Sequence, residues 1–319
     1  MVNGAEVRLS AKVESIEKGE GSFLLHTTAG DVEAKYVVNA AGVEADKVHA
    51  MVGGHTFRTL PNRGEYFLLD KAQGELVNKV VFQCPNQDGK GVLVAPTVHG
   101  NLIVGPNAEG VDKADDVNNT AAGLAFVRKM SVKSVPAVNF RDSIRNFAGV
   151  RANSDQPDFI IEESPAAKGF INLGGIKSPG LSSAPAIGVE AVELLKGCGL
   201  TLTKKERFVD TRKRTVFRHL SPEEKAELVR ENPLYGRVIC RCETVTEGEI
   251  VEAIHRPIVP RSIDAIKRRC NAGMGRCQGG FCGPRVHEIL SRELKLPLDQ
   301  ILMDEEGSYI LTQPTKEGK

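Results

Sequence analysis

Tryptophan is absent from these 319 residues, and 12 Phe and 4 Tyr are the only other large aromatics. The chain thus lacks the aromatic platforms on which single-stranded nucleic acid stacks. It also lacks an excess of one charge: 42 Lys and Arg face 41 Asp and Glu, which argues against a nucleic-acid partner. No apolar run approaches the roughly 18 residues of a membrane-spanning helix. Seven cysteines is an odd count, and no signal-peptide pattern opens the chain. Both argue against a disulfide scaffold and lead to the expectation of a cytoplasmic protein, membrane-associated only through a partner. A complete G-x-G-x-x-G turn, the usual cradle for a dinucleotide pyrophosphate, is missing too. Gly19-Glu-Gly21 has no third glycine, and after Gly273-Met-Gly275 the next glycine comes one place late.

What the chain does have is concentrated near its C-terminus. Cys240-Arg-Cys242 is followed, after 34 residues, by Cys277-Gln-Gly-Gly-Phe-Cys282. Four thiols in two close pairs can wrap one inorganic centre. The C-x-C and C-x4-C spacings are looser than the C-x2-C knuckles of structural zinc, although zinc remains the alternative. They suit a [2Fe–2S] cluster, in which each iron takes two thiolates. Cys84, Cys198 and Cys270 are read as ordinary small apolar residues.

Around these thiols the pattern is helical. Thr246-Glu-Gly-Glu249 is a capping box, Pro257 and Pro260 end the helix it starts, and Ser262 caps a second. Gly283-Pro284 opens a third, with Val286, Ile289 and Leu290 on one face. Residues 236–292 hold ten Lys or Arg against six Asp or Glu, a surplus that offsets an anionic cluster.

C-R-C-E-T-V-T-E-G-E-I followed by A-G-M-G-R-C-Q-G-G-F-C resembles the bacterioferritin-associated-ferredoxin-type [2Fe–2S] domain. In particular it resembles the version fused to the C-terminus of anaerobic glycerol-3-phosphate dehydrogenases and related flavoenzymes. It implies that Cys240, Cys242, Cys277 and Cys282 are the ligands and leaves Cys270 outside the ligand set.

Residues 1–199 read as mixed α/β. Strands are expected at Glu6–Ile16, Ser22–Thr28, Tyr36–Gly42, Glu65–Leu69, Lys79–Gln83, Gly91–Pro96, Asn101–Gly105, Phe159–Ile161 and Phe170–Leu173, and helices at Val43–Val52 and Asn118–Lys133. Asn39-Ala-Ala-Gly42 ends one strand at a glycine. Gly174-Gly-Ile-Lys-Ser-Pro-Gly-Leu-Ser-Ser183 leaves another and runs into a helix of about two and a half turns ending at Leu195. A helix start of this kind presents backbone N–H groups to an anion or an electron-rich ring edge.

Both stretches resemble the D-amino-acid-oxidase superfamily of FAD enzymes. By that resemblance Ala41 and Gly42 lie against FAD, Val13 contacts its adenine side, and Gly175, Ile176, Ser178, Gly180, Leu181 and Ser182 hold the flavin ring. Pro61–Tyr66, Ala95–Thr97 and Phe147–Arg151 look like substrate-domain strands of the members that oxidise glycerol 3-phosphate and 2-hydroxyglutarate. Arg63, Arg151 and Lys177 are the candidate cations for a small anionic substrate, with Tyr66 and Lys177 as candidate catalytic groups. His49, His55 and His99 are expected in loops or at the surface.

The expected architecture is therefore an α/β (α+β) FAD-dependent oxidoreductase fold without its first βαβ unit, plus a small helical [2Fe–2S]-binding domain. Residues 1–199 would be the FAD and substrate part, 200–235 a linker with a helix, 236–292 the cluster domain and 293–319 a tail. Met1 falls just before the strand that follows the family's first nucleotide-binding half, which suggests a longer enzyme or completion by another polypeptide. The expected function is oxidation of a small anionic alcohol with electrons passing through the cluster to a partner subunit or a quinone-linked acceptor. An amine- or opine-type FAD oxidase subunit and a non-catalytic electron-transfer subunit are the alternatives.

Overall fold

The computed structural model describes residues 1–84, 91–313, 315 and 316, so part of the expected 293–319 tail lies outside the described residues. Two compact units emerge: Arg8–Arg207, and Met1–Val7 together with Phe208–Lys319.

In the first unit the elements are β1 (Val13–Lys18), β2 (Phe23–Thr27), β3 (Val32–Ala34), β4 (Val37–Asn39), α1 (Ala45–Ala50), β5 (Thr59–Leu69), β6 (Val81–Phe82), β7 (Leu93–Pro96), β8 (Leu102–Gly105), β9 (Glu109–Gly110), α2 (Ala121–Ser134), β10 (Ser143–Ser154), β11 (Ile160–Glu163), β12 (Phe170–Gly174) and α3 (Gly180–Gly197). They build three sheets. β1, β2 and β3 form an antiparallel meander; β11, β12 and β4 form a second sheet; β10, β5, β8, β7 and β6 form the largest, with β9 added to β5. The β12–β4 pairing is parallel, and the pairs in the other two sheets are antiparallel.

Several expected boundaries move. The first strand begins at Val13 rather than Glu6, because only there does β2 supply a partner. The expected helix from Val43 shortens to α1 behind a tight turn at Gly42–Glu44. The helix after the glycine–serine loop is longer than expected: it starts inside that loop, at Gly180, and runs 18 residues. β5 and β10 extend to 11 and 12 residues because each pairs with the other along nearly its whole length. His49 is fully buried, stacked on Phe57 and Phe170 with Nε2 2.8 Å from Ser164 Oγ.

α2 closes one face of the large sheet, its Val127 packed with Phe67, Leu69, Val94, Leu102 and Val104. Its start is held by the fully buried Glu65, which accepts hydrogen bonds from the Thr120 N–H at 2.8 Å and the Thr120 hydroxyl at 2.9 Å. Thr120 in turn caps the helix by accepting from the Gly123 N–H at 3.0 Å. Hydrogen bonds to a carboxylate contribute about 1.5–3 kcal/mol each, so Glu65→Ala should cost about 3 kcal/mol or more. The urea midpoint should fall with the slope of the transition unchanged. An unmoved midpoint would show that α2 is not anchored this way.

The second unit contains α4 (Pro222–Glu231), β13 (Val238–Cys240), β14 (Val245–Thr246), α5 (Glu247–Ile254), α6 (Ile263–Cys270) and α7 (Gly283–Leu294). The expected capping box forms at Thr246 and Glu249, and a second one, at Ser221 and Glu224, starts α4. Ile250, Ile254, Ile266, Val286, Ile289 and Leu290 make its core, with Cys240 and Cys282 included in the same cluster.

Candidate functional site

In the second unit the four cysteines come from three places. Cys240 ends β13, Cys242 lies in the turn before β14, and Cys277 and Cys282 flank a glycine loop that leads into α7. Cys240 and Cys282 are 1% and 2% exposed, while Cys242 is open to solvent. The two loops come close because residue 275 is glycine: a Cβ there would lie 2.2 Å from the Cys242 Cβ. The thiols meet across the loops. Cys242 Sγ is 3.8 Å from Cys277 Sγ, and all four cysteines line one pocket.

Electrostatics favours a thiolate at Cys240 and at Cys277. The neighbouring Cys282 thiol, with the backbone N–H groups of Gly273 and Glu243, brings Cys240 down to about 6, and Cys282 is raised in exchange. The Phe281 N–H lowers Cys277. α7 points its N-terminus at Cys282, adding a positive end to the same place. Cys270 behaves differently: its thiol donates to the Ile266 carbonyl at 3.3 Å, and burial pushes it up to about 11.

This donor set fits a binuclear cluster. Thiolates on one tetrahedral metal with bonds of about 2.3 Å lie about 3.8 Å apart, the spacing of Cys242 and Cys277. Among the described residues no three His, Cys, Asp or Glu side chains converge on a single ion. All four thiols line one pocket, and four thiolates are what two irons need.

In the first unit a cleft of 940 Å³ is lined by Ala40–Val43, Val150–Ala152 and Ile176–Ser182. Two adjacent parallel strands, β4 and β12, deliver the first and last of these segments to it. Ligands in α/β sheets bind at such carboxyl ends. Buried Asn39 fixes the junction: its side-chain N–H groups donate to the Ala45 carbonyl at 2.8 Å and to Asn172 Oδ1 at 3.0 Å, while its Oδ1 accepts from the Ala41 N–H at 3.3 Å. Small residues at 40–42 leave backbone exposed to a flat ring, and α3 begins at the cleft with its positive end. The size also fits, since small-molecule sites measure about 300–1,000 Å³.

Ala41, Gly42, Ile176, Lys177, Ser178, Gly180, Leu181, Ser182 and Arg151 thus line one cleft. Gly175 adjoins it in sequence. Val13 does not line it, being part of β1 in the small meander. The sheet separates the arginines grouped from sequence. Arg151 lies opposite Asn62 and Tyr66 opposite Phe147, so these four share a face, whereas Arg63 pairs with Val150 on the other. Arg63 is 4% exposed and gives its charge to Glu109 at 2.9 Å and Asp116 at 2.8 Å.

Arg151 is held by neutral acceptors instead. Its Nη1 donates to Asn62 Oδ1 at 2.8 Å, and its Nη2 lies 3.4 Å from the Asn107 carbonyl. The guanidinium lies over Gly64, where a Cβ would come within 2.3 Å of Nη2. No carboxylate pairs with it among the described residues. Tyr66 stacks on Phe147 with ring centroids 5.0 Å apart. Asn62, Gly64 and Asn107 escaped the sequence reading. The period-2 register of Pro61–Tyr66 against Phe147–Arg151 could have found the first two, but Asn107 comes from a distant loop.

A twisted sheet with a flavin-sized cleft, joined in sequence to a four-thiol helical domain, defines a flavoprotein oxidoreductase with an iron–sulfur module. The family model for FAD dependent oxidoreductases matches residues 2–194, and that for BFD-like [2Fe-2S] binding domains matches residues 238–292. The chain belongs to the FAD dependent oxidoreductase family, and its cofactors are FAD and a [2Fe–2S] cluster. It is 51% identical over 315 residues to a glycerol 3-phosphate dehydrogenase of Caloramator mitchellensis, covering 98% of this chain and 66% of that one. It is 35% identical over 209 residues to a glycerol 3-phosphate oxidase of Mycoplasma genitalium, covering 64% of this chain and 54% of that one. The dithionite-reduced, FAD-bound L-alpha-glycerophosphate oxidase from Mycoplasma pneumoniae superposes with a TM-score of 0.57 at 36% identity, over 62% of this chain and 52% of that one. The chain therefore spans 66% and 54% of the length of these two curated relatives. Among the described residues no helix is long and apolar enough to cross a membrane.

Proposed function

We propose that the protein oxidises glycerol 3-phosphate, or a small anionic alcohol of that class, and passes the electrons through its [2Fe–2S] cluster to a partner subunit or a quinone-linked acceptor. The observation that carries this reading is Arg151: a half-buried guanidinium at the flavin cleft, oriented by Asn62 and Asn107 and with no acidic partner among the described residues. A cation left uncompensated beside a cofactor cleft suits a substrate phosphate or carboxylate. Lys177, in the flavin loop, supplies a second cation. Tyr66 and Phe147, stacked on the same sheet face, give a wall for the carbon chain. Arg63 stays outside the site because its charge is already spent. FAD supplies the hydride chemistry when bound; the chain's own residues orient the substrate and fix its anion. Cys240, Cys242, Cys277 and Cys282 are the ligands of the cluster. Names of relatives at 51% and 35% identity support the substrate class.

The test is anaerobic mixing of FAD-loaded protein with glycerol 3-phosphate, followed by flavin absorption, with neutral glycerol as control. Bleaching by the phosphate ester and not by glycerol is expected. If a panel of anionic alcohols leaves the flavin oxidised while an N-substituted amino acid reduces it, the reading is wrong.

A further inference from the structure

The segment just before the cluster domain lies outside the residues matched by its family model, yet it is fastened to the cluster loops. The Phe217 N–H donates to Glu249 Oε1 at 3.2 Å, on the same carboxylate whose Oε2 completes the capping box of α5. The next residue, Arg218, donates from Nη1 to Glu243 Oε2 at 2.8 Å. Glu243 is 3% exposed and follows Cys242 directly. Its Oε1 and the Cys242 Sγ lie 3.2 and 3.3 Å from the point a Gly275 Cβ would occupy. A carboxylate is therefore buried beside one of the four thiols, and a guanidinium from another segment is laid against its outer oxygen.

We infer that Arg218 is a positioning residue that offsets the Glu243 charge and so sets how readily the cluster accepts an electron. The role rests on the assignment of the four cysteines as ligands. Reduction adds one negative charge to an already anionic centre. A carboxylate held close in a poorly solvated place opposes that step, and a cation against it relieves the opposition. Arg218 and Glu243 should therefore act with opposite signs on the same equilibrium. A purely structural contact would give no such pattern, since losing either partner would loosen the loop in the same way.

The experiment is redox titration of the reconstituted full chain by visible absorption and electron paramagnetic resonance, with iron and sulfide measured for every sample. Arg218→Gln should lower the reduced-to-oxidised ratio at fixed ambient potential by about tenfold, or 59 mV for one electron. Glu243→Gln should raise it by a similar factor, the double variant should return close to the starting value, and Arg218→Lys should stay within about twofold of it. Should Arg218→Gln fail to hold iron, Arg218→Lys and Glu243→Gln still decide the matter. Single variants that shift in the same direction, or not at all, with iron and sulfide intact would overturn the role, as would an Arg218→Lys shift of about tenfold. A wild-type chain that takes up no iron and sulfide would overturn the ligand assignment first, before any variant is compared.

Discussion

Serine at Cys240, Cys242, Cys277 or Cys282 should abolish the visible absorption of the iron-reconstituted protein, which otherwise carries about two iron and two acid-labile sulfide per chain. Cys242 and Cys277 lie 3.8 Å apart across the two loops, and all four thiols line one pocket, so losing any one would leave the cluster a thiolate short. Cys270→Ser is the control. Its thiol is turned to the Ile266 carbonyl, so the spectrum should persist, with stability slightly reduced by a buried hydroxyl. Stoichiometric zinc without sulfide, or a spectrum that survives all four single changes, would refute the binuclear reading.

Arg151→Ala should reduce kcat/KM for the anionic substrate by one to two orders of magnitude, on the scale of about 1.5–3 kcal/mol for a hydrogen bond to a charged group. The loss should be much smaller for a neutral analogue of the same shape. Arg151→Lys should recover part of it, because the charge returns without the fork that Asn62 and Asn107 orient. An N-substituted amino acid would still need the cation, but its rate would rise with pH as the substrate nitrogen loses its proton. Near-normal kcat/KM in Arg151→Ala on the best substrate found would return this arginine to the ordinary surface.

Much of the second unit was legible because its signals are local. A capping box, a proline at a helix start and four thiols at fixed spacing each act within a few residues, and the helices form where those signals fall. The first unit was less legible. The lengths of β5 and β10 depend on each other, and neither partner shows this alone. Arg63 and Arg151 look alike in sequence, yet pleat alternation puts one beside Glu65 and the other over Gly64. Arg218 carried no motif at all. Its meaning comes from a partner 25 positions away that a turn brings back beside it. Exposed loops with chemistry in their own residues could be read, whereas side chains defined by what lies opposite could not.

The parallel pairing of β4 with β12 also governs when the cleft can exist. Val37 meets Phe170, 133 positions later, and closing a loop of that length costs about 4 kcal/mol in chain entropy before any contact offsets it. During synthesis the Ala40–Val43 edge must wait, without its neighbour, until the chain has grown past Gly174. The cleft is thus a late product of folding, while the β1–β2 hairpin, whose register joins Lys18 to Phe23, needs only its immediate surroundings. A cofactor that prefers the finished cleft would act on this last step, drawing the sheet closed after its strands have formed.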